Sequence, residues 1–190
     1  MTPLELLEER VSISSLQAPG PSPEVIARAM RAAVRAPDHA QLRPWRFLVI
    51  EGEGLVRLGD LFVQATLAKE PDFKPEKQEK LRGKPQRAPM VVVAIASMQE
   101  HPKVPLVEQR LSAGAAVMNL MLSLRAQGFG SIWRTGDMTY DEVVKKGLGL
   151  GPNEEIVAFL YVGTSTGKER AVPELEVKEF VQSWQGPRHS

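Results

Sequence analysis

The feature that most constrains the fold of this chain is the apolar run Met-Val-Val-Val-Ala-Ile-Ala at residues 90–96. Valine and isoleucine favour extended backbone, and a run without polar residues at alternate positions is typical of a strand covered on both faces. A fold that contains this strand must supply apolar side chains to both of its sides. The 190 residues of the chain are enough for one domain with a sizeable core.

Capping residues and apolar periodicity predict the elements around this strand. Thr2, Pro3 and Glu5 combine a capping box with a first-turn proline, which predicts a helix to about Glu9. The other predicted elements are, in chain order, a helix at residues 23–35, a strand at 45–50, a helix with Leu55, Leu58, Phe62 and Ala65 on one face, a charged surface excursion at 69–87, a long helix at 105–127, a short strand at 129–133, a helix from the capping box Thr139-Tyr140-Asp141-Glu142 to about Lys146, and a strand at 155–163.

The long helix at residues 105–127 has small and bulky apolar residues nearly all round, so it must be buried on most sides. A partner subunit would supply the missing cover, and a central core helix of a monomer would explain the same pattern. The tail from residue 164 is mostly polar, but large apolar residues occur again near its end: Val177, Phe180, Val181 and Trp184. We expect a single domain over residues 1–190, with this tail docked on the core or on a partner subunit.

The composition narrows the possible functions. The chain has no cysteine, which excludes disulfides, thiolate metal sites and cysteine catalysis. His39, His101 and His189 show no metal-ligand spacing. The formal net charge of +1 gives no reason to expect nucleic acid or an acidic membrane as a partner. No apolar run approaches the roughly 18 residues of a membrane span, and the N-terminus does not resemble a signal peptide, so we expect a cytoplasmic protein.

A polar loop at residues 36–47 lies between a predicted helix and a predicted strand. Pro37 and Pro44 each fix φ and push the preceding residue out of the helical region, which predicts a stiff loop with set side-chain directions. Such a loop is a good place for a ligand site, although an ordinary connector would have the same pattern.

The loop sequence from Pro37 to Phe47 resembles the Pro-Ser-x-x-Asn-x-x-Pro-Trp-x-Phe segment of the FMN-dependent nitroreductase family. Arg10-Val11-Ser12 is similar to the Arg-x-Ser motif that this family carries near its N-terminus. The short chain, the Ala-Pro-Asp-His variant of the loop and Gly-Phe-Gly-Ser-Ile-Trp-Arg at residues 128–134 resemble the small YdjA-like branch. The resemblance runs from Leu4 to about Gly163.

This resemblance implies an α+β nitroreductase-like fold, with a central mixed sheet flanked by helices, in a homodimer with flavin at the subunit interface. It implies bound FMN, NADH or NADPH as electron donor, and a small-molecule electron acceptor such as a nitro compound, in a ping-pong reaction. The chemistry would be carried by FMN, so no side chain is expected to be catalytic.

The same resemblance implies a set of cofactor-binding residues. Arg10, Val11 and Ser12 would contact the phosphate or ribityl chain, and the loop with His39 and Gln41 would reach the flavin bound mainly by the other chain. By its position one turn before this loop, Arg35 could reach the same ligand or only favour the C-terminus of its helix. Residues 133–136, which are Trp133, Arg134, Thr135 and Gly136, would pass over the flavin with the amides of Thr135 and Gly136 near its N5 edge. A basic residue after the last strand would bind the phosphate, Lys168 first and Arg170 second.

Simpler interpretations of these residues stay open from the sequence. His39 could bond its own backbone, Trp133 could be a core aromatic, and Arg10 could be an ordinary surface arginine. Lys168 and Arg170 could be solvated tail charges. Each of these predicts a side chain that contacts no ligand.

Two other function classes remain to be compared with the flavin enzyme. The family's commoner asparagine is replaced by Gln41, and Ile13-Ser14-Ser15 stand where a second basic residue is frequent, so a flavin store or sensor is an alternative. Residues 163–167 match the Gly-x-Ser-x-Gly motif of serine hydrolases, the second alternative class. The nucleophile elbow of such an enzyme must be followed by a helix, whereas this segment runs into Lys168 and Pro173, which argues against a hydrolase. Gly52-Glu53-Gly54 lacks the third glycine of a dinucleotide fingerprint.

Overall fold

The computed structural model describes residues 2–167 and 170–186 of the chain. Five strands form its sheet: β1 (Leu16–Gln17), β2 (Trp45–Glu51), β3 (Met90–Ser97), β4 (Gly130–Arg134) and β5 (Glu154–Ser165). Strand β5 is central, because it pairs with β3 along one edge and with β4 and β1 along the other, while β2 pairs with the far side of β3.

The four strand pairings found in the described residues are all antiparallel, which corrects the expectation of a mixed sheet within one chain. Strands β3 and β4 are both antiparallel to β5 and therefore run parallel to each other. The long helix between them is the usual connection of a parallel pair. Strand β5 lies between the two, however, and takes the hydrogen bonds that a direct parallel pairing would have used.

Helices cover both faces of this sheet. They are α1 (Pro3–Glu8), α2 (Pro23–Ala33), α3 (Glu53–Leu67), α4 (Pro75–Arg82), α5 (Leu106–Ala126), α6 (Asp137–Tyr140) and α7 (Glu142–Gly147). On one face, Val91, Val93 and Ile95 of β3 pack in a core cluster with residues of α3, α4 and α7. On the other face, Met90, Val92 and Ala94 pack with residues of α2 and α5. The apolar run is therefore buried on both sides, as predicted.

Two predicted local structures need correction. The stretch at residues 69–87 contains α4 and a 3-10 turn at Pro85–Arg87, although the buried side chain of α4 is Leu81 alone and an apolar stripe is missing from it. The helix expected from Thr139 begins at Glu142 instead. Asp141 caps it, since its carboxylate accepts hydrogen bonds from the amides of Val143 and Val144 at 2.8 and 3.1 Å.

The tail at residues 170–186 is almost without regular structure, with one 3-10 turn at Val177–Glu179. Val177, Phe180, Val181 and Trp184 are between 63% and 83% exposed. These side chains are not buried against the chain's own core, and their docking on a partner subunit stays a prediction. Within residues 2–167 and 170–186, the structure contains no helix with the length and hydrophobicity needed to cross a membrane.

Candidate functional site

A small groove brings Ser12 and Arg170 together at the start of strand β4. The segment after α1 runs beside this strand, where the Ile13 amide donates to the Ser131 carbonyl at 3.0 Å. Gly130 permits this approach, because a Cβ there would lie 2.9 Å from Leu16 and 3.1 Å from Ile13. The groove has a volume of about 50 Å³ and is lined by Ser12, Ile13, Ser14, Ser15, Ser165, Thr166 and Arg170. Five hydroxyls and a guanidinium offer the donors that a phosphate group accepts.

Arg10 and Val11 line an adjoining groove, which shares Ile13 with the first. Arg125 of α5 lines it as well, and its Nη2 donates to the Glu9 carbonyl at 3.3 Å. Arg10 is half-buried. The two polar residues of the Arg-x-Ser motif thus line two adjoining grooves, Ser12 the first and Arg10 the second.

A larger cleft of about 550 Å³ lies at the other end of β4; we call it the strand-end cleft. All four of the residues Trp133, Arg134, Thr135 and Gly136 line it. Gly136 has φ of 110°, a conformation that side chains disfavour, and an added Cβ would meet no atom within 4 Å. The backbone here is therefore open to a ligand. Trp133 is half-buried and packs against the α2–α5 core, so the core and site interpretations of this residue both apply.

The strand-end cleft also contains cations that the sequence analysis missed. Lys84 and Arg87 line it beside Arg134, whose guanidinium carbon lies 5.8 Å from the centre of the Tyr161 ring. Burial raises the pKa of the Tyr161 phenol, although the charges of Arg134 and Arg87 act in the opposite direction. A signal was present in the sequence, since Lys84-Pro85-Gln86-Arg87 lies two residues before the buried strand β3 and carries a proline as the other loop does.

The loop at residues 36–47 lines a separate cleft of about 640 Å³, which we call the loop cleft. Arg35, Asp38, Gln41 and Arg43 line it, together with apolar residues. The Asp38 carboxylate accepts hydrogen bonds from the amides of Leu42 and Arg43 at 3.0 and 2.7 Å, which closes the loop on itself. Gln41 and Arg43 both have positive φ, of 54° and 50°. Strain of this kind in non-glycine residues is concentrated at functional sites.

His39 lies on the same loop but bonds to neither the loop nor its own backbone. Its Nδ1 lies 2.8 Å from Oε2 of Glu108 in α5, and both side chains are about half exposed. This contact replaces the expected backbone bond and fixes the imidazole against the long helix. The open edge of the ring is available to a ligand from outside the chain.

Within one chain, the predicted residues fall into two groups rather than one site, one at the two ends of β4 and one in the loop cleft. Arg10, Val11, Ser12 and Arg170 lie in the grooves at the start of β4, and residues 133–136 lie in the cleft at its end. Arg35 and Gln41 line the separate loop cleft. Lys168 lies outside the described residues. No group of three or more histidine or acidic side chains in the described part of the chain is placed to hold a metal ion.

Comparisons with known sequences place this chain among the nitroreductases. The sequence model of the Nitroreductase family matches residues 7–164. The chain is 44% identical over 164 residues to a protein of Escherichia coli (strain K12) named "Putative NAD(P)H nitroreductase YdjA", covering 86% of this chain and 88% of that protein. It is 37% identical over 183 residues to "Putative NAD(P)H nitroreductase" of Haemophilus influenzae, covering 95% and 98%.

Solved structures share the fold at low sequence identity. A nitroreductase-like family protein from Bacillus cereus superimposes with a TM-score of 0.83 at 21% identity, covering 98% of this chain and 97% of that one. A variant of NfnB, described as an FMN and NADPH-dependent nitroreductase, superimposes with a TM-score of 0.77 at 21% identity, covering 98% and 100%.

Proposed function

This chain belongs to the nitroreductase family, and from that premise we propose that it binds FMN non-covalently and transfers reducing equivalents from NADH or NADPH to a small electron acceptor such as a nitro compound. The single observation that carries the proposal is the arrangement along β4. A groove rich in hydroxyls and guanidinium groups lies at one end of this strand, and an open backbone with Gly136 lies at the other.

The distance between these ends suits one extended FMN molecule. From Ser131 to Gly136, extended backbone advances by about 16 Å, which is comparable to the length from the phosphate to the ring of FMN. The phosphate would be held by Arg10, Ser12 and Arg170 through charge-assisted hydrogen bonds. The ring would lie against residues 133–136, where the amides of Thr135 and Gly136 would donate to it. These residues fit the cofactor in charge, donor type and order along the chain.

In this reaction the protein chain would bind FMN, orient its ring and tune its reduction potential. When bound, FMN supplies a ring that accepts a hydride from the donor and passes electrons to an acceptor in the same position, which gives ping-pong kinetics. Backbone donors near N5 and positive charge near N1 stabilise the reduced anionic ring. No side chain is needed as a proton-transfer catalyst.

We further propose that the functional unit is a homodimer in which the loop cleft of one subunit faces the FMN held by the other. Arg35, Gln41 and His39 would then reach the flavin across the interface. The proposal is supported by the separation of the loop cleft from the β4 sites within one chain. It is also supported by exposed leucines on α1 and α5, among them Leu4, Leu7 and Leu111, which are 67%, 53% and 68% exposed.

An anaerobic titration tests the enzyme against a flavin store. Purified protein is heated, and the released supernatant should contain FMN by absorbance and chromatography. Anaerobic NAD(P)H should then bleach the bound flavin, and an added nitro compound should restore its colour over repeated cycles. Bleaching without turnover would favour the store or sensor, and a colourless protein that takes up no FMN would contradict the proposal.

A further inference from the structure

The positive charges of three side chains in the strand-end cleft have no role in the arrangement above, in which Arg134 contributes only as part of the segment 133–136. Lys84, Arg87 and Arg134 line this cleft at the ring end of β4, whereas the proposed phosphate groove lies at the other end. None of the three forms an ion pair with a carboxylate among residues 2–167 and 170–186. Elsewhere in the chain Arg46, Arg82 and Arg110 are each held by a carboxylate at 2.6–2.7 Å. The cleft cations are thus left available.

The charge of the cleft is only partly balanced within it. Asp137 is the acidic residue in the lining. Asp137 and Lys84 both also line the neighbouring cleft, where Asp137 adds to the effect of Asp141 in raising the pKa of Lys69. The strand-end cleft therefore keeps an excess of positive charge. An anion that enters it would gain charge-assisted contacts, which are stronger than neutral hydrogen bonds.

Aromatic side chains form the wall beneath these cations. The rings of Phe62 and Phe159 meet edge to face with centroids 5.4 Å apart, and Tyr161 lies under Arg134. Phe62, Phe159 and Tyr161 are all buried, so their positions are set by the core. A flat apolar group with an anionic substituent matches this combination of aromatic wall and cationic rim.

The segment that carries Lys84 and Arg87 is fixed rather than free. Gly59 of α3 meets the end of α4 so closely that a Cβ would lie 2.0 Å from the Arg82 carbonyl oxygen. Arg82 donates to Asp60 at 2.7 Å, and Pro85 and Ala88 are buried on either side of the turn. The two cations are therefore held on a packed element, which is what a selective binding site requires.

On the basis of the proposed function, we propose that Lys84, Arg87 and Arg134 recognise the negative charge of the electron acceptor, and that the preferred acceptors are aromatic compounds with a carboxylate or similar anionic group. The acceptor ring would lie over the flavin, and its anionic group would face Lys84 and Arg87. This assigns a specificity role to Lys84 and Arg87, which lie outside the predicted cofactor set, and to the side chain of Arg134, which lies within it.

The test compares para-nitrobenzoate with the uncharged para-nitrobenzamide in FMN-loaded protein. The ratio of their kcat/KM values is measured in the wild type and in a Lys84→Gln/Arg87→Gln double variant. Intrinsic reactivity and any general loss of activity cancel in this comparison. One or two lost charge-assisted contacts should lower the preference for the anion by roughly tenfold or more. Lys80→Gln removes a charge from the preceding helix α4 without lining the cleft, and it should keep the wild-type ratio.

A binding measurement gives a readout that does not depend on turnover. Benzoate and benzamide, which are not reduced, are titrated calorimetrically into the same FMN-loaded proteins. Benzoate should bind more tightly than benzamide to the wild type, and the double variant should lose that difference. If the double variant does not fold, the single variants Lys84→Gln and Arg87→Gln are used, each with a smaller shift expected in the same direction.

The outcomes separate this inference from the proposed function. An equal ratio of kcat/KM for the two acceptors in the wild type and the variants would overturn the inference. Variants in which only the KM for NADPH rises would also overturn it, because the cations would then bind the phosphates of the electron donor. In both cases NAD(P)H oxidation with menadione, an uncharged quinone, would leave the proposed function standing. A protein that binds no FMN and shows no such oxidation would contradict the proposed function, and this inference with it.

Discussion

At the scale of single residues, the proposed phosphate site depends on Arg10, which is half-buried and lines a groove beside α5 that adjoins the groove of Ser12. A guanidinium held in this way loses little freedom when it binds an anion. Gly136 has a different role at the far end of β4, because it supplies a backbone conformation rather than a charge. The two residues therefore allow binding energy and backbone geometry to be tested independently.

We expect Arg10→Ala to weaken FMN binding more than riboflavin binding, because riboflavin lacks the phosphate. Charge-assisted contacts contribute about 1.5–3 kcal/mol, so FMN affinity should fall roughly ten- to hundredfold. Fluorescence titration of the flavin-free protein with each ligand measures the difference. Arg28→Ala, an exposed change on α2, is the control and should leave both affinities unaltered. Equal losses for the two ligands would show that Arg10 acts elsewhere.

We expect Gly136→Ala to lower both stability and FMN affinity. A side chain at φ of 110° is strained, at a cost of about 1–3 kcal/mol in the free energy of unfolding. The new methyl group would also project into the space proposed for the flavin. Gly149→Ala is the matched change, since Gly149 has φ of 70° but does not line the strand-end cleft. Urea unfolding of flavin-free protein and FMN titration should show strain in both variants and lost FMN affinity in Gly136→Ala alone.

At the scale of elements, an ion pair joins β2 to the start of β5. Arg46 Nε and Nη2 each lie 2.6 Å from an oxygen of Glu154, whose side chain is only 13% exposed. Arg46 also donates to the Gly149 carbonyl at 3.1 Å, which ties in the turn after α7. The hydrogen bonds from Arg46 lower the pKa of Glu154 to about 2 against the opposing effect of burial, with a further contribution from the Gly151 amide.

This pair predicts a pH dependence of stability. The folded pKa of Glu154 is depressed below its ordinary 4.5, so its contribution is fully present above that value and is lost as the pH falls towards 2. A shift of this size corresponds to roughly 3 kcal/mol. Urea unfolding at pH 7 and at pH 3 should therefore show a clear loss for the wild type and a smaller pH effect for Glu154→Gln.

Glu155→Gln is the control for this prediction. Glu155 pairs with Arg110 at 2.7 Å, but both side chains are more than 40% exposed, and exposed pairs contribute less than about 1 kcal/mol. The Glu155→Gln variant should lose little stability at pH 7, and the pH dependence of its free energy of unfolding should stay close to that of the wild type. A Glu155→Gln variant as destabilised as Glu154→Gln would show that burial does not decide the strength of these pairs.

The sequence predicted most elements because their signals are local. The capping box at Thr2 and the proline at the start of α2 both act within one turn, and both helices begin where expected. Helix α4 was missed although Pro75 marks its start, because it has no apolar stripe and packs on α3 at Gly59 through a tertiary contact that the sequence does not reveal. Lys84 and Arg87 were missed with it. The strand order could not be predicted from the sequence either, since β5 pairs between β3 and β4 through long-range contacts.

Most of the predicted site residues line grooves or clefts in the structure, but the sequence could not predict which of them lie together. Family resemblance identified Ser12 and residues 133–136, and its position one turn before the loop identified Arg35; each of them lines a groove or cleft. The partner of His39, which is Glu108, lies far along the chain and follows from the packing of α5 alone. Positive φ at Gln41 and Arg43 likewise has no sequence signal, because neither residue is a glycine.

At the scale of the whole molecule, the division of the predicted residues between two clefts suggests two subunits. If the loop cleft serves the partner's FMN, each site combines Arg10 from one chain with Arg35 from the other. Exposed apolar residues on α1, on α5 and in the tail would then be covered by the partner, including Leu111 and Trp184, which are 68% and 83% exposed. A homodimer with two equivalent sites follows from this arrangement.

Subunit exchange between two inactive variants tests the shared site. Arg10→Ala and Arg35→Ala should each impair FMN binding and turnover as homodimers. When the two are mixed and allowed to exchange, each heterodimer has one site with both defects and one site with neither. Random exchange then leaves roughly a quarter of all sites intact, so FMN content and activity should recover to about that level. An active, FMN-loaded monomer in light scattering would contradict the dimer. A dimer that shows no recovery after verified exchange would instead mean that Arg35 contacts the FMN of its own chain.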